Sequence, residues 1–297
     1  MAGAGKRVLI INGDDLGYTR GVNQGIGDCA TAGILRSATL MANGAAFEHA
    51  VALAKKHENL DMGVHLVLTK LPAISRHVGT EGLVDERGCL PGTPGELMRG
   101  VLGGRIGKGA IRQELSSQIT KILDHGMQPT HLDSHKHVHV FPQVLEVVVE
   151  LARKYAIPWV RNPFDEIPFQ RIDPLVGPGM TATFRTQYLK GRLIRGYRRA
   201  FAGRIRKSGL RAPDHFFGIA LTGIWTEAAM IELLRTLPSG VSEWMFHPGI
   251  CDEELERSGT RLREQREVEK ALLMSPKIQE YLMKQDITLS SFRAEVA

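Results

Sequence analysis

Cysteine, aromatic rings and long apolar runs are all scarce in this chain, and each shortage removes a class of protein. The three cysteines of its 297 residues, Cys29, Cys89 and Cys251, are widely spaced, form no C-x-x-C pair and leave an odd count. That excludes a disulfide-built scaffold and fits a reducing compartment. No stretch approaches the roughly 18 uninterrupted apolar residues of a membrane-spanning helix. The first apolar run, Val8 to Ile11, is too short for a secretion signal and stops at Asn12-Gly13-Asp14-Asp15, so the chain reads as cytoplasmic. Aromatic residues amount to 6%, hydrophobic residues to 43% and charged residues to 24%, a balance that excludes disordered and collagenous chains. Acid is missing altogether from one segment. Lys190 to Arg211 carries nine basic residues and no acidic one; set aside, they turn the net charge of +6 slightly negative, so the basicity is a single patch. Sparse aromatic interleaving and the lack of a known binding motif speak against nucleic acid as its partner. Phosphate-loop, dinucleotide and G-x-S-x-G signatures are absent as well. The fragment Ala2 to Lys6 looks like part of a phosphate loop but precedes the first strand instead of following it.

What is present is an alternation of short β-branched runs with helical periodicity. Strand-like runs are Val8 to Ile11, Ser37 to Met41, Met62 to Leu68, Thr130 to His135, Pro158 to Arg161 and Ser242 to Phe246. Helical stretches are Gly21 to Thr31, Ala46 to His57, Ala110 to His125, Gln143 to Tyr155, Trp225 to Leu237, Glu264 to Met274 and Lys277 to Lys284. This order predicts an α/β fold with a parallel sheet covered on both faces, a barrel or a doubly wound sheet. The length allows a single domain over 1–297, since α/β barrels reach about 250 residues as one unit. Two irregular insertions interrupt the rhythm, at about 71–109 and 162–214, and read as substrate-binding loops or lids.

Four motifs carry chemistry. Asn12-Gly13-Asp14-Asp15 ends the first strand, read as a turn, with two adjacent carboxylates whose like charges repel unless a metal or a base neutralises one. One of them can ligate a metal while the other, facing the opposite way, acts as a general base; capping of the next helix is the plainer role. His131-Leu132-Asp133-Ser134-His135-Lys136-His137-Val138-His139 would, as a strand, align four imidazoles and a carboxylate on one face, a ligand-rich array. His65, in Gly63-Val64-His65-Leu66, and His247, before Pro248-Gly249, each close a further strand. Four strand ends of this kind converge on one mouth of a barrel.

Taken in order, Asn-Gly-Asp-Asp-Leu-Gly, Gly-Val-His-Leu, the long histidine motif and the late His-Pro resemble the YdjC-like carbohydrate deacetylases. Trp159-Val160-Arg161-Asn162-Pro163 and Asp214-His215-Phe216-Phe217-Gly218 look most like the hopanoid-biosynthesis-associated branch, HpnK. The resemblance implies an irregular, TIM-barrel-like (β/α) barrel with long loop insertions that removes acetyl from N-acetylated sugars with one divalent metal ion, Zn or Mg. Carried over position by position, it puts the metal on Asp15, His65 and His135, with Asp14 as base and His247 as acid. Asn12-Gly13 departs from the Asn-Ala of many members, and glycine keeps the turn. Arg161 is expected to pair with Asp14 and hold it ionised, a plain surface ion pair being the alternative. His131, Asp133 and His137 are expected to face the substrate.

Leu189, Leu193, Ile194, Tyr197, Phe201 and Ile205 stand at near-helical spacing among the arginines of 189–207. Such a helix can lie on an anionic membrane surface or pack its stripe on the barrel. The expected substrate is an N-acetylglucosaminyl-hopanoid lipid or, alternatively, a soluble chito-oligosaccharide. A non-catalytic glycolipid-binding protein at the membrane surface is the reading of another class, and the full set of Asp14, Asp15, His65, His135 and His247 argues against it. Placement at the inner face of the membrane and a homodimer complete the expectations.

Overall fold

The structure, a computed structural model, describes residues 5–75 and 80–295; Ala2 to Ala4 of the phosphate-loop look-alike lie outside them. Eight strands form one parallel sheet: β1 (Arg7–Leu16), β2 (Ser37–Leu40), β3 (Asp61–Leu66), β4 (His131–Ser134), β5 (Trp159–Val160), β6 (His215–Phe217), β7 (Gly240–Phe246) and β8 (Thr288–Ser290). The order is β5-β4-β3-β2-β1-β7-β6, with β8 beside the first half of β1. The sheet curls until Arg211, just before β6, meets β5: Arg211 N–H donates to Pro158 O and Val160 N–H to Arg211 O, each at 2.9 Å. The result is the irregular TIM-like barrel expected. Helices cover it outside, their apolar faces (Val144, Leu145, Val148 and Leu151 on Pro142–Lys154, for example) packed against the strands.

The elements read from periodicity are present with ends shifted by a few residues, and three readings change. First, β1 does not stop at Ile11; it runs through Asn12 to Leu16, so the expected turn is strand. Pairing with β7 from Arg7 to Gly13 satisfies the backbone there, and the register against β2 slips between Gly13 and Leu16. That irregularity, with Asp15 at φ 69°, turns both aspartates toward the barrel mouth. Second, the histidine motif is not one strand. β4 ends at Ser134, and residues His135–Val140 form a tight 3-10 segment in which Lys136 and His137 take φ of 57° and 54°. The single face of four imidazoles therefore does not exist. Third, 162–214 is not irregular: it holds helices Phe169–Ile172, Thr181–Ile194 and Arg198–Ser208. Nor is its basic stripe one continuous α-helix, because a 3-10 segment, Arg195–Tyr197, separates Thr181–Ile194 from Arg198–Ser208. Phe201 and Ile205 are buried in the core, whereas Leu189 and Leu193 are 62% and 79% exposed.

The strands β6 and β8 and the helix Pro94–Leu102 carried no clear periodic signal. Among the described residues no helix is long and apolar enough to cross a membrane.

Candidate active site

All strands run the same way, so the residues at their carboxyl ends share one mouth. Asp14 and Asp15 come from β1, His65 from β3, His135 from the step after β4, Arg161 from the step after β5 and His247 from the step after β7. Asp14, Asp15, His65, His135 and His247 line one cavity of about 710 Å³, together with Lys70, Lys136 and His137.

Two carboxylates adjacent in sequence have different surroundings here. Asp14 is pinned. Arg161 grips it through two hydrogen bonds, Nη1 to Oδ2 and Nη2 to Oδ1, both 2.7 Å, and the Asn12 amide donates to Oδ1 at 2.8 Å. Burial alone would raise its carboxyl, but the Arg161 guanidinium, joined by His65 and His247, more than offsets burial and holds it well below the usual carboxylate range. Asp15 has one oxygen engaged, Oδ2, by Arg266 Nη2 at 2.6 Å. Its other oxygen, Oδ1, is buried with no hydrogen-bond partner and lies 3.4 Å from His65 Nε2 and 3.3 Å from His135 Nδ1. An orphaned carboxylate oxygen between two ring nitrogens is a ligand set with a cation's place in it, and Asp/His/His suits a divalent ion. A second close cluster, Asp14, His65 and Asp133, fits a metal less well, because Arg161 already occupies both of its carboxylates.

His65 is aimed by the residue opposite it. The register pairs His65 with Asp133, and Asp133 Oδ1 lies 2.7 Å from His65 Nδ1, which leaves Nε2 turned to Asp15. Burial lowers the His65 imidazole, but the Asp133, Asp15 and Asp14 carboxylates override it and raise it to about 10: this point of the site stabilises positive charge. His135 is lowered, first by burial, and the Asp15 carboxylate offsets only part of that. At the centre of the barrel the fully buried Arg161 faces Asp14, Asp133 and Glu243, each at 2.7 Å. Burial, opposed by Arg161 and reinforced by Asp133, pushes the Glu243 carboxyl up to about 7.

The three residues expected to face the substrate go to different places. His137 lines the cavity wall, edge-on to Phe216. His131 does not face substrate: it is fully buried one layer below, its ring stacked on Phe292 at 3.9 Å, with Nε2 3.1 Å from Asn12 Oδ1. Asp133 is also sealed off and serves His65 and Arg161 instead. Packing decides this. Gly63 stands across from His131, and a Cβ there would overlap its Nε2, so the imidazole occupies the space glycine leaves. His139 is a core residue, 2.5 Å from Ser134 Oγ and 3.1 Å from Arg161 O.

Three residues that touch the site went unread in the sequence: Glu243, Arg266 and Glu269. A charged residue at an inward position of an apolar strand was the available signal for Glu243. The other two sit in a helix so rich in charge that nothing singles them out. The helix Thr181–Ile194 has two working faces. Ala182, Thr183, Thr186, Gln187 and Lys190 line the cavity that holds the aspartates and histidines, while Tyr188 and Leu189, with Pro168 and Phe169, line a separate, mainly apolar cavity of about 610 Å³.

Known proteins resemble this chain in sequence and in architecture. Residues 8–284 match the family model described as YdjC-like protein. A carbohydrate deacetylase of Brevibacillus brevis is 33% identical over 284 residues, covering 96% of this chain and 98% of that one. A carbohydrate deacetylase of Geobacillus stearothermophilus is 33% identical over 288 residues, covering 97% of each. The crystal structure of a candidate cellobiose-phosphate cleavage protein from Enterococcus faecalis superposes with a TM-score of 0.76 at 24% identity, over 98% of this chain and 99% of that one. The chain belongs to the YdjC-like protein family.

Proposed function

We propose that the protein is a metal-dependent N-deacetylase that hydrolyses the acetamide of an N-acetylated amino sugar. The observation that carries this reading is the buried, unpartnered Oδ1 of Asp15 between His65 and His135, with Asp14 and His247 on the same cavity. The carbohydrate deacetylases similar to this chain support the reaction class. Asp15, His65 and His135 would hold a divalent ion, zinc or magnesium, which would supply Lewis acidity at the acetyl carbonyl and make a water easier to deprotonate. The chain's own residues do the rest. Asp14, kept ionised by Arg161, accepts a proton from the water that attacks the carbonyl carbon. His247 gives a proton to the nitrogen as the C–N bond breaks, and acetate and a free amine leave. The grip of Arg161 also makes Asp14 a weak base, so its contribution comes from placement.

For the substrate we infer a lipid-linked amino sugar, N-acetylglucosaminyl-hopanoid. Support comes from the Trp159 to Pro163 and Asp214 to Gly218 segments and from exposed Leu189 and Leu193 beside Lys190 and Arg192. A soluble chito-oligosaccharide is the alternative. Metal analysis of the purified protein combined with acetate release from both substrates tests the whole reading. Acetate from the lipid with bound zinc or magnesium is the expected result; acetate from the oligosaccharide alone moves the substrate, and no acetate from either refutes the activity.

A further inference from the structure

The helix Glu264–Leu273, far from the motifs in sequence, sends two buried charges into the reaction centre. Arg266 and Glu269 lie three residues apart and so on one helix face, and each is 1% exposed. Burying a charge costs several kcal/mol unless partners repay it, and both sets of partners belong to the site. Arg266 donates through Nη2 to Asp15 Oδ2 at 2.6 Å and is steadied from behind by Leu262 O, 3.3 Å from its Nε. It takes one oxygen of Asp15 and leaves the other to face His65 and His135. Its Nη1, buried and without a hydrogen-bond partner, belongs to a side chain that lines the catalytic cavity. Glu269 accepts the backbone N–H of His247 on Oε2 at 2.5 Å and that of Gly223 on Oε1 at 2.7 Å. The same Oε2 lies 3.8 Å from His247 Nδ1, a buried ring nitrogen with no other partner. The helix is also tied to the turn itself, Gly249 N–H donating to Arg266 O at 3.3 Å.

We infer that Arg266 and Glu269 are positioning residues: Arg266 fixes the rotamer of Asp15 so that Oδ1 stays turned to the histidines, and Glu269 fixes the His247 backbone and ring for proton delivery to the departing amine. The inference rests on the deacetylase reading for the role of His247 and on the metal site for the role of Asp15. Two variants separate the halves. Arg266→Met should weaken divalent-ion binding, measured by calorimetric titration with zinc, by about tenfold or more, with Arg266→Lys in between. An unchanged zinc affinity in Arg266→Met overturns that half. Glu269→Gln should keep the zinc affinity and KM, yet lower kcat on the N-acetylated sugar by about tenfold or more. On p-nitrophenyl acetate, whose leaving phenolate needs no proton, its loss should be much smaller. Equal losses on both substrates make Glu269 a merely structural residue and overturn its half. Should either variant fail to fold by circular dichroism, Arg266→Lys and Glu269→Asp carry the same comparisons. Wild-type protein that binds zinc but releases no acetate refutes the deacetylase reading and the Glu269 half, while the Arg266 half still stands or falls on affinity. Wild-type protein that binds no zinc or magnesium overturns the Arg266 half.

Discussion

Asp14 and Asp15 are the same residue type at the same strand end, and what surrounds each differs. Asp14 has both oxygens gripped by Arg161; Asp15 has one oxygen on Arg266 and the other unpartnered between histidines. Asp14→Asn should therefore cut acetate release by about a hundredfold or more while bound metal persists. His135→Ala should lose both activity and metal, as read by elemental analysis of the purified variant; metal retained in His135→Ala sinks the assignment. One layer deeper the constraint is volume. Because a Cβ at Gly63 would overlap the His131 ring, Gly63→Ala should cost about 1–3 kcal/mol in urea unfolding, with the strain passed to Asn12 and Phe292. A fully stable Gly63→Ala would mean that His131 is free to move.

At the scale of elements, the connection after β5 depends on a buried carboxylate. Asp165 accepts the Ala220 N–H at 2.7 Å and the Gly218 N–H at 3.3 Å, which ties this connection to the one after β6. Burial raises its carboxyl from 3.8 to about 6, against those backbone hydrogen bonds. A carboxyl raised in the fold binds its proton more tightly folded than unfolded. Its contribution to stability is therefore greatest below pH 4, falls as pH rises from about 4 to about 6, and is constant above. The span is on the order of 3 kcal/mol. Asp165→Asn should flatten that part of the stability curve relative to wild type, measured by urea unfolding at several pH values; parallel curves would show that Asp165 does not titrate there. The step from β4 to the 3-10 segment makes the same point about local geometry. The left-handed φ at Lys136 and His137 ends the strand alternation and sends His135, His137 and His139 to three different surroundings.

For the molecule as a whole, the basic patch and the cavity at the barrel mouth meet on the helix Thr181–Ile194. Exposed Leu189 and Leu193 among basic residues predict sedimentation with anionic vesicles, weakened by salt and by replacing both leucines with serine. No sedimentation with anionic or neutral vesicles would retire the membrane reading. The alternation of strands and helices was legible along the chain because parallel strands buried on both faces write continuous apolar runs, but those runs are the same in a barrel and in a doubly wound sheet, and only the family resemblance pointed to the barrel. The aspartates and histidines at strand ends were legible too, since strand direction alone delivers them to one mouth. Contacts between residues distant in sequence were not. That His131 and Asp133 turn inward to Asn12 and Arg161, that Glu243 shares the same guanidinium, and that the helix Glu264–Leu273 holds Asp15 and His247 from behind all follow from how the sheet curls. The curl brings side chains from separate strands within hydrogen-bond reach. Local periodicity, which depends on near neighbours in the chain, carries no record of those distances.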